Sequence, residues 1–153
     1  MEDNSLFSNI DGDTTQPPLP LANLKILVVD DDDDSRFYIS TVLEADGASV
    51  TTVASAAKAL EVIPHLQPDV LVCDIAMPIE DGYSLIAKVR ALTAESGGDV
   101  PAIALTAYAD SEDRARALEV GFQSHVGKPV DPEVLVATVV NVRQEAGSRS
   151  LDP

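Results

Sequence analysis

Asp74 closes the apolar run Val70-Leu71-Val72-Cys73, and Ile75-Ala76-Met77-Pro78 leads away from it into a turn. A second apolar run, Lys25-Ile26-Leu27-Val28-Val29, closes the same way in Asp30-Asp31. Two buried strands that both stop in carboxylates gather three negative charges at one sheet edge. Carboxylates packed together repel and desolvate poorly, so such a cluster is best stabilised by a cation. A divalent metal beside a free carboxylate is a site for phosphoryl chemistry.

The elements that must position these acids follow a rhythm. From Lys25 onward strand-like runs alternate with helical patterns. The strand candidates are residues 25–29, 49–53, 70–73, 102–105 and 124–126, and the helix candidates are roughly 34–46, 55–65, 83–95, 111–120 and 132–145. Ile39, Val42 and Leu43 form the apolar stripe of the first helix, with Gly47 as its stop. Ser55 suits the cap of the second, which offers Ala56, Leu60 and Ile63. Leu85, Val89 and Leu92 mark the third, Asp110 or Ser111 starts the fourth, and Asp131-Pro132 opens the fifth ahead of Leu135, Val139 and Val142. Three strand runs are continuous rather than alternating, so they read as buried on both faces. The pattern implies an α/β fold with a parallel sheet covered by helices on both sides.

Sites in open parallel sheets form beyond the carboxyl ends of the strands. There the sequence places Asp30 and Asp31, then Asp74, then Thr106 after Ala102-Ile103-Ala104-Leu105, then Lys128 after Ser124-His125-Val126-Gly127. A carboxylate oxygen of Asp74 can attack phosphorus and form an acyl phosphate. Two anions must approach, which calls for magnesium, with manganese as the alternative. Asp31 and Asp74 could bind it directly, Asp30 through water, and the Ala76 backbone carbonyl could add an oxygen. Lys128 can pair with phosphoryl oxygens as a point charge, and the Thr106 hydroxyl can donate to the transferred group. Asp32 to Asp34 read instead as a solvated helix start, and Cys73 as a small core residue.

Composition bounds the rest. The 153 residues suit one domain. The net charge of −16 disfavours nucleic acid and anionic membranes as partners. The single cysteine cannot make an internal disulfide, no run is long enough to span a bilayer, and no signal peptide begins the chain, so a cytoplasmic location is expected. Residues 1–23 read as a disordered acidic tail, 24–145 as the folded domain, and 146–153 as a flexible C-terminal tail. Leu6, Phe7 and Ile10 in the first tail are apolar enough to dock against something.

Together, Ile26-Leu27-Val28-Val29-Asp30-Asp31, Asp74-Ile75-Ala76-Met77-Pro78 with Asp81-Gly82, Leu105-Thr106-Ala107 and Lys128-Pro129 resemble the receiver domain of two-component response regulators, over roughly residues 24–145. The resemblance implies a doubly wound, flavodoxin-like sheet of five strands in the order 2-1-3-4-5. It implies that Asp74 accepts phosphate from a histidine kinase or a histidine phosphotransfer protein, with magnesium bound, and that the Lys128-Pro129 peptide is cis. It also implies a switch. Thr106 is drawn toward the phosphate, the residue at 125 turns inward, and the face made by helix 4, strand 5 and helix 5 changes its downstream protein partner. His125 stands where an aromatic Tyr or Phe is frequent, and an imidazole there could also sense pH. Ala76 and Tyr108 are expected to influence the self-dephosphorylation rate, and Ile79-Glu80 fills a loop where smaller residues are common.

The leading expectation is a stand-alone phosphoacceptor that signals by protein contact. It is not an enzyme beyond its own phosphorylation and dephosphorylation. A phosphorelay intermediate that passes phosphate to another histidine is the first alternative. A phosphatase with an aspartyl nucleophile is the second, weakened because such enzymes place another acid two residues on, where this chain has Ala76.

Overall fold

The structure is a computed structural model and describes residues 18–107 and 111–151. Strands β1 (Lys25–Val29), β2 (Ser49–Val53), β3 (Val70–Asp74), β4 (Ala102–Thr106) and β5 (Ser124–Gly127) alternate with helices α1 (Asp33–Ala45), α2 (Ala56–Leu66), α3 (Gly82–Arg90), α4 (Ser111–Val120) and α5 (Pro132–Leu151). All strand pairings are parallel, and the sheet order is β2-β1-β3-β4-β5. This is the doubly wound order expected from the sequence. The order reverses between β1 and β3, and the two acid-bearing strand ends therefore lie side by side at the switch point.

Alternation along the strands builds two cores. Leu27, Val29, Leu71 and Ala104 face α2, α3 and α4, whose Ile63, Leu85, Val89 and Ala117 cover them. Ile26, Val28, Val72, Ile103 and Leu105 face α1 and α5, covered by Ile39, Leu43, Leu135 and Val139. Each wholly buried Leu or Ile contributes roughly 1.5–3 kcal/mol, so the three central strands, two of which end in the acids, are firmly held. β3 and β4 are buried along their whole length, whereas β2, at the edge, exposes Ser49, Thr51 and Thr52.

Helix starts are set by side chains. Asp32, Ser55 and Asp81 accept from the amides of Ser35, Lys58 and Ser84 at the first turns of α1, α2 and α3. Asp32 is consequently held below the usual carboxylate range, first by the Ser35 amide.

Three boundaries differ by more than a residue from the sequence reading. The ordered chain begins before residue 24, because Leu21 is fully buried beside Leu43 and Ile26 and its amide donates to the Asp46 carbonyl at 2.8 Å. The third helix stops at Arg90 rather than 95. Thr93 then caps a separate 3₁₀ turn, Ala94–Ser96, closed by Gly97 in the left-handed region. The fifth helix runs to Leu151, past residue 145. Gly147 lies inside it, and a glycine alone lowers helix propensity without ending a helix whose earlier turns are packed. The tail before Pro18, and Asp110 as a helix start, lie outside the described residues.

Candidate functional site

Asp30, Asp31, Asp74 and Lys128 meet at one rim, and Thr106 ends the neighbouring strand. Carboxylate oxygens of Asp30, Asp31 and Asp74 all lie within 4.8 Å of one another. Asp30 is fully buried and Asp74 nearly so, while Asp31 faces solvent. Three oxygen donors of this kind, one of them open to water, suit a hard divalent cation that keeps part of its hydration.

Each acid is held by its neighbours. Asp30 Oδ1 accepts from the Asp32 amide at 2.9 Å, and the Arg36 guanidinium donates to the Asp30 carbonyl at 2.7 Å. Asp74 Oδ1 accepts from the Ala76 amide at 3.2 Å. Lys128 reaches in from the end of β5, with Nζ 3.2 Å from Asp74 Oδ1 and 3.5 Å from Asp30 Oδ2. The Lys128-Pro129 peptide is cis, and the Lys128 amide donates to the Thr106 carbonyl at 2.8 Å.

The electrostatics are opposed at the two ends of this contact. Burial raises the Asp74 carboxyl above the usual range and Asp30 adds to it, outweighing Lys128 and the Ala76 amide. Burial pulls the Lys128 ammonium down, but Asp30 and Asp74 outweigh it and hold it above its ordinary value. Lys128 is therefore a permanent cation, and Asp74 is an anion in an environment that disfavours it.

Asp74 pairs with Leu105 across β3 and β4, so Thr106 sits one residue beyond it on the neighbouring strand. Thr106 is buried, and its Oγ1 is the one buried side-chain polar atom without a hydrogen-bond partner among the described residues. Such a group costs stability until an acceptor arrives. His125 lies on β5 opposite Ala104, on the sheet face away from buried Val126. It is half-buried and away from the acids. Burial lowers its imidazole, and Arg114 on α4 adds to the effect. Ala76 is exposed at the mouth and offers no polar side chain. Tyr108 lies outside the described residues.

The sequence reading missed Arg36, and it named Gly82 and Ile79 without their structural roles. Arg36 anchors the turn that carries Asp30, and it also pairs with Asp33. Its signal was a lone cation one serine beyond five aspartates. Gly82 opens α3 pressed under β3, where an added Cβ would lie 2.7 Å from the Asp74 carbonyl oxygen and 2.9 Å from Ile75 Cα. Only a residue without Cβ fits that approach. Ile79 takes a left-handed conformation, φ 71°, and is wholly exposed beside the crevice. Cys73, buried next to Asp74, has its thiol pushed far up by burial and then by Asp74, so it is no nucleophile.

Comparison with known proteins agrees with this geometry. The response regulator receiver domain matches residues 26–140. A 14.6 kDa protein encoded beside sodA1 in Leptolyngbya boryana is 49% identical over 119 residues, 78% of this chain and 89% of its own length. The transcriptional regulatory protein PrrA of Mycobacterium tuberculosis is 36% identical over 81% of this chain, but the match spans only 52% of PrrA. Among solved structures, the chemotaxis protein CheY4 of Vibrio cholerae is 30% identical, with TM-score 0.72, covering 80% of this chain and 98% of that one. The receiver domain of the sensor histidine kinase PA1611 from Pseudomonas aeruginosa is 32% identical, with TM-score 0.72, over 80% of this chain and 99% of its own. It is described with a magnesium ion coordinated in its active site cleft. With the match spanning residues 26–140, and the three strand-end acids and the lysine together at one rim, the chain belongs to the response regulator receiver domain family of two-component signalling.

Proposed function

We propose that Asp74 is a phosphoacceptor, taking a phosphoryl group from a histidine of a kinase or a histidine phosphotransfer protein. The observation that carries this reading is the seat of its carboxylate, within 4.8 Å of two more acids and 3.2 Å from the Lys128 ammonium. One Asp74 oxygen attacks phosphorus, the P–N bond to the donor imidazole breaks, and its electron pair stays on the imidazole nitrogen. Asp30, Asp31 and Asp74 would hold magnesium or manganese, which when bound neutralises charge between the approaching anions. Lys128 faces the incoming oxygens as a fixed cation, so catalysis is mainly positioning and charge stabilisation. The orphaned Thr106 hydroxyl then gains an acceptor on the phosphoryl group.

Signalling follows from that new bond. Thr106 lies on β4 beside β5, whose other neighbours are α4 and α5. A shift of Thr106 biases His125 and this face, where a downstream protein docks. The chain works as a switch rather than a turnover enzyme. Ala76 supplies no second acid for hydrolysis of free phosphate esters, and none is expected.

The test is labelling from a small acyl phosphate with magnesium. Wild type should incorporate one phosphate that chelation prevents, and Asp74→Asn should incorporate none. Equal labelling of the two proteins would sink the reading. Rapid return of the label to a cognate phosphotransfer histidine would make the chain a relay intermediate instead of an endpoint.

A further inference from the structure

Among the described residues, Asn23, Gln67 and Ile79 take positive φ without being glycine. Two of them have a local account. Asparagine tolerates this region. Gln67 closes α2, where a left-handed residue is usual, and its amide bonds back to the Ile63 carbonyl. Ile79, at φ 71°, has no such account, and a β-branched residue there is a genuine outlier.

Its neighbours impose that conformation. The Glu80 amide donates to the Pro78 carbonyl at 2.7 Å, across Ile79. A bond from one residue to the next but one around positive φ makes a γ-turn of the rare, strained hand. On one side the Pro78 ring fixes the chain. On the other, the Glu80 carboxylate lies 2.6 Å from Lys88 Nζ and accepts from Ser84 Oγ at 2.7 Å, both on α3. The Gly82 amide closes the loop onto the Ile75 carbonyl at 3.0 Å. Strain persists where surroundings over-determine it, and it clusters at functional sites. The fold's interior gains nothing from it, because the Ile79 side chain is wholly exposed. A single exposed isoleucine needs no explanation; one held outward by a strained turn does. Ala76 and Pro78 are exposed beside it, so this side of the mouth is apolar.

The place of Ile79 names its occupant. It stands three residues before Gly82, hence no more than about 11 Å from it. Gly82 is itself pressed against the Asp74 carbonyl. A protein contact of standard size covers about 800 Å² a side, a disc about 16 Å in radius. A protein that brings a histidine onto Asp74 therefore covers Ile79 as well. The exposed acids Asp31 to Asp34 lie where β1 leads into α1, and Lys88 pairs with the acid next to Ile79, so the contact at Ile79 is apolar. We infer that Ile79 is a specificity-determining contact for the phosphodonor protein, entering an apolar hollow that the donor presents beside its phosphohistidine. This rests on the phosphoacceptor reading. A small donor reaches Asp74 without covering the loop and does not use Ile79.

Uptake kinetics on the full chain test this, with two donors. One is the histidine phosphotransfer domain that labels wild type fastest, and the other is acetyl phosphate with magnesium. Ile79→Asn suits the left-handed backbone and removes the apolar group. Ile79→Leu keeps the apolar bulk without the β-branch. Ile79→Asn should raise KM for the protein donor about tenfold with kcat little changed, the lower end of what burying an isoleucine supplies. Ile79→Leu should stay within about twofold of wild type, as a volume-conserving exchange does. Both variants should label from acetyl phosphate at the wild-type rate, and the urea midpoint of Ile79→Asn should equal or exceed that of wild type. A wild-type KM in Ile79→Asn, an equal loss in Ile79→Leu, or a parallel loss with acetyl phosphate overturns the inference. A lower urea midpoint for Ile79→Asn does so too, because the side chain then serves the fold. Labelling of wild type by acetyl phosphate but by no histidine donor overturns the contact and leaves Asp74 a phosphoacceptor. No labelling from either donor overturns the phosphoacceptor reading and this inference with it.

Discussion

Replacing Lys128 by methionine removes a cation that faces two buried carboxylates while keeping most of the side-chain volume. At an effective dielectric of ~20, each of its contacts at 3.2 and 3.5 Å carries a gross attraction of about 5 kcal/mol. Desolvation of the ammonium and its remaining contact with water offset most of that, so the net loss expected at neutral pH without metal is about 1–3 kcal/mol. The sign of the pH dependence follows from Asp74. Its folded pKa is raised, so its ionised form costs stability above that value, and the cost is gone once pH falls below the ordinary carboxylate value. Lys128 opposes the rise, so its loss moves the Asp74 pKa further up. The deficit of the variant should then be largest near pH 8 and smaller at acid pH, where Asp74 takes a proton. Saturating magnesium should shrink it too, because a divalent ion restores the missing countercharge. Urea unfolding followed by circular dichroism at both pH values, with and without magnesium, measures all four quantities. A deficit that stays constant across the four conditions would refute the electrostatic account and leave only lost packing.

Thr106→Val should leave the metal-free stability unchanged or raise it by up to about 1 kcal/mol, since the hydroxyl it deletes is buried without a partner. The same variant should lose the amide shifts that an acyl-phosphate mimic induces along β5, and retention of those shifts would remove Thr106 from the switch. Gly82→Ala should cost about 1–3 kcal/mol in urea unfolding, despite alanine's better helix propensity, because its Cβ overlaps the Asp74 carbonyl at 2.7 Å. Asp31→Asn should change metal-free stability by less than about 0.5 kcal/mol, as befits an exposed residue. It should nonetheless abolish the rise of the unfolding midpoint with magnesium, and a rise equal to wild type would exclude Asp31 as a ligand.

The site was legible because its residues end strands. An apolar run that stops abruptly in a charge marks both a buried strand and its solvent edge, so Asp30, Asp74, Thr106 and Lys128 could be placed on one rim before any pairing was known. Topology supplied the rest, by setting β1 beside β3. What escaped the reading depends on contacts between segments distant in sequence. Nothing local distinguishes Leu21 from its proline-rich surroundings, and its burial depends on α1 and β1 closing over it. Gly82 reads as an ordinary turn glycine until α3 is packed beneath β3. The break between Arg90 and the 3₁₀ turn escaped because Leu92 keeps the apolar spacing of a continuing helix. Thr93 redirects the chain through a short-range hydrogen bond that periodicity does not register. Arg36 escaped because charge runs were weighed as solvated surface, whereas its guanidinium turns back to a carbonyl.

The groups brought together here are each individually unfavourable in the unliganded state. Asp74 is an anion where burial and Asp30 disfavour one, and Thr106 hides a hydroxyl without an acceptor. Each cost is removed by the same event on the proposed reading. Forming an acyl phosphate on one Asp74 oxygen would move negative charge outward, toward Lys128, and supply the acceptor that Thr106 lacks. On that reading, phosphorylation would release a small electrostatic strain held at the ends of buried strands. Because β1, β3 and β4 are buried, the partly exposed β5 and the helices beside it are where such a release would be taken up. That physical asymmetry, more than any single contact, is why the charge change at Asp74 should be read out on the α4, β5 and α5 side of the molecule.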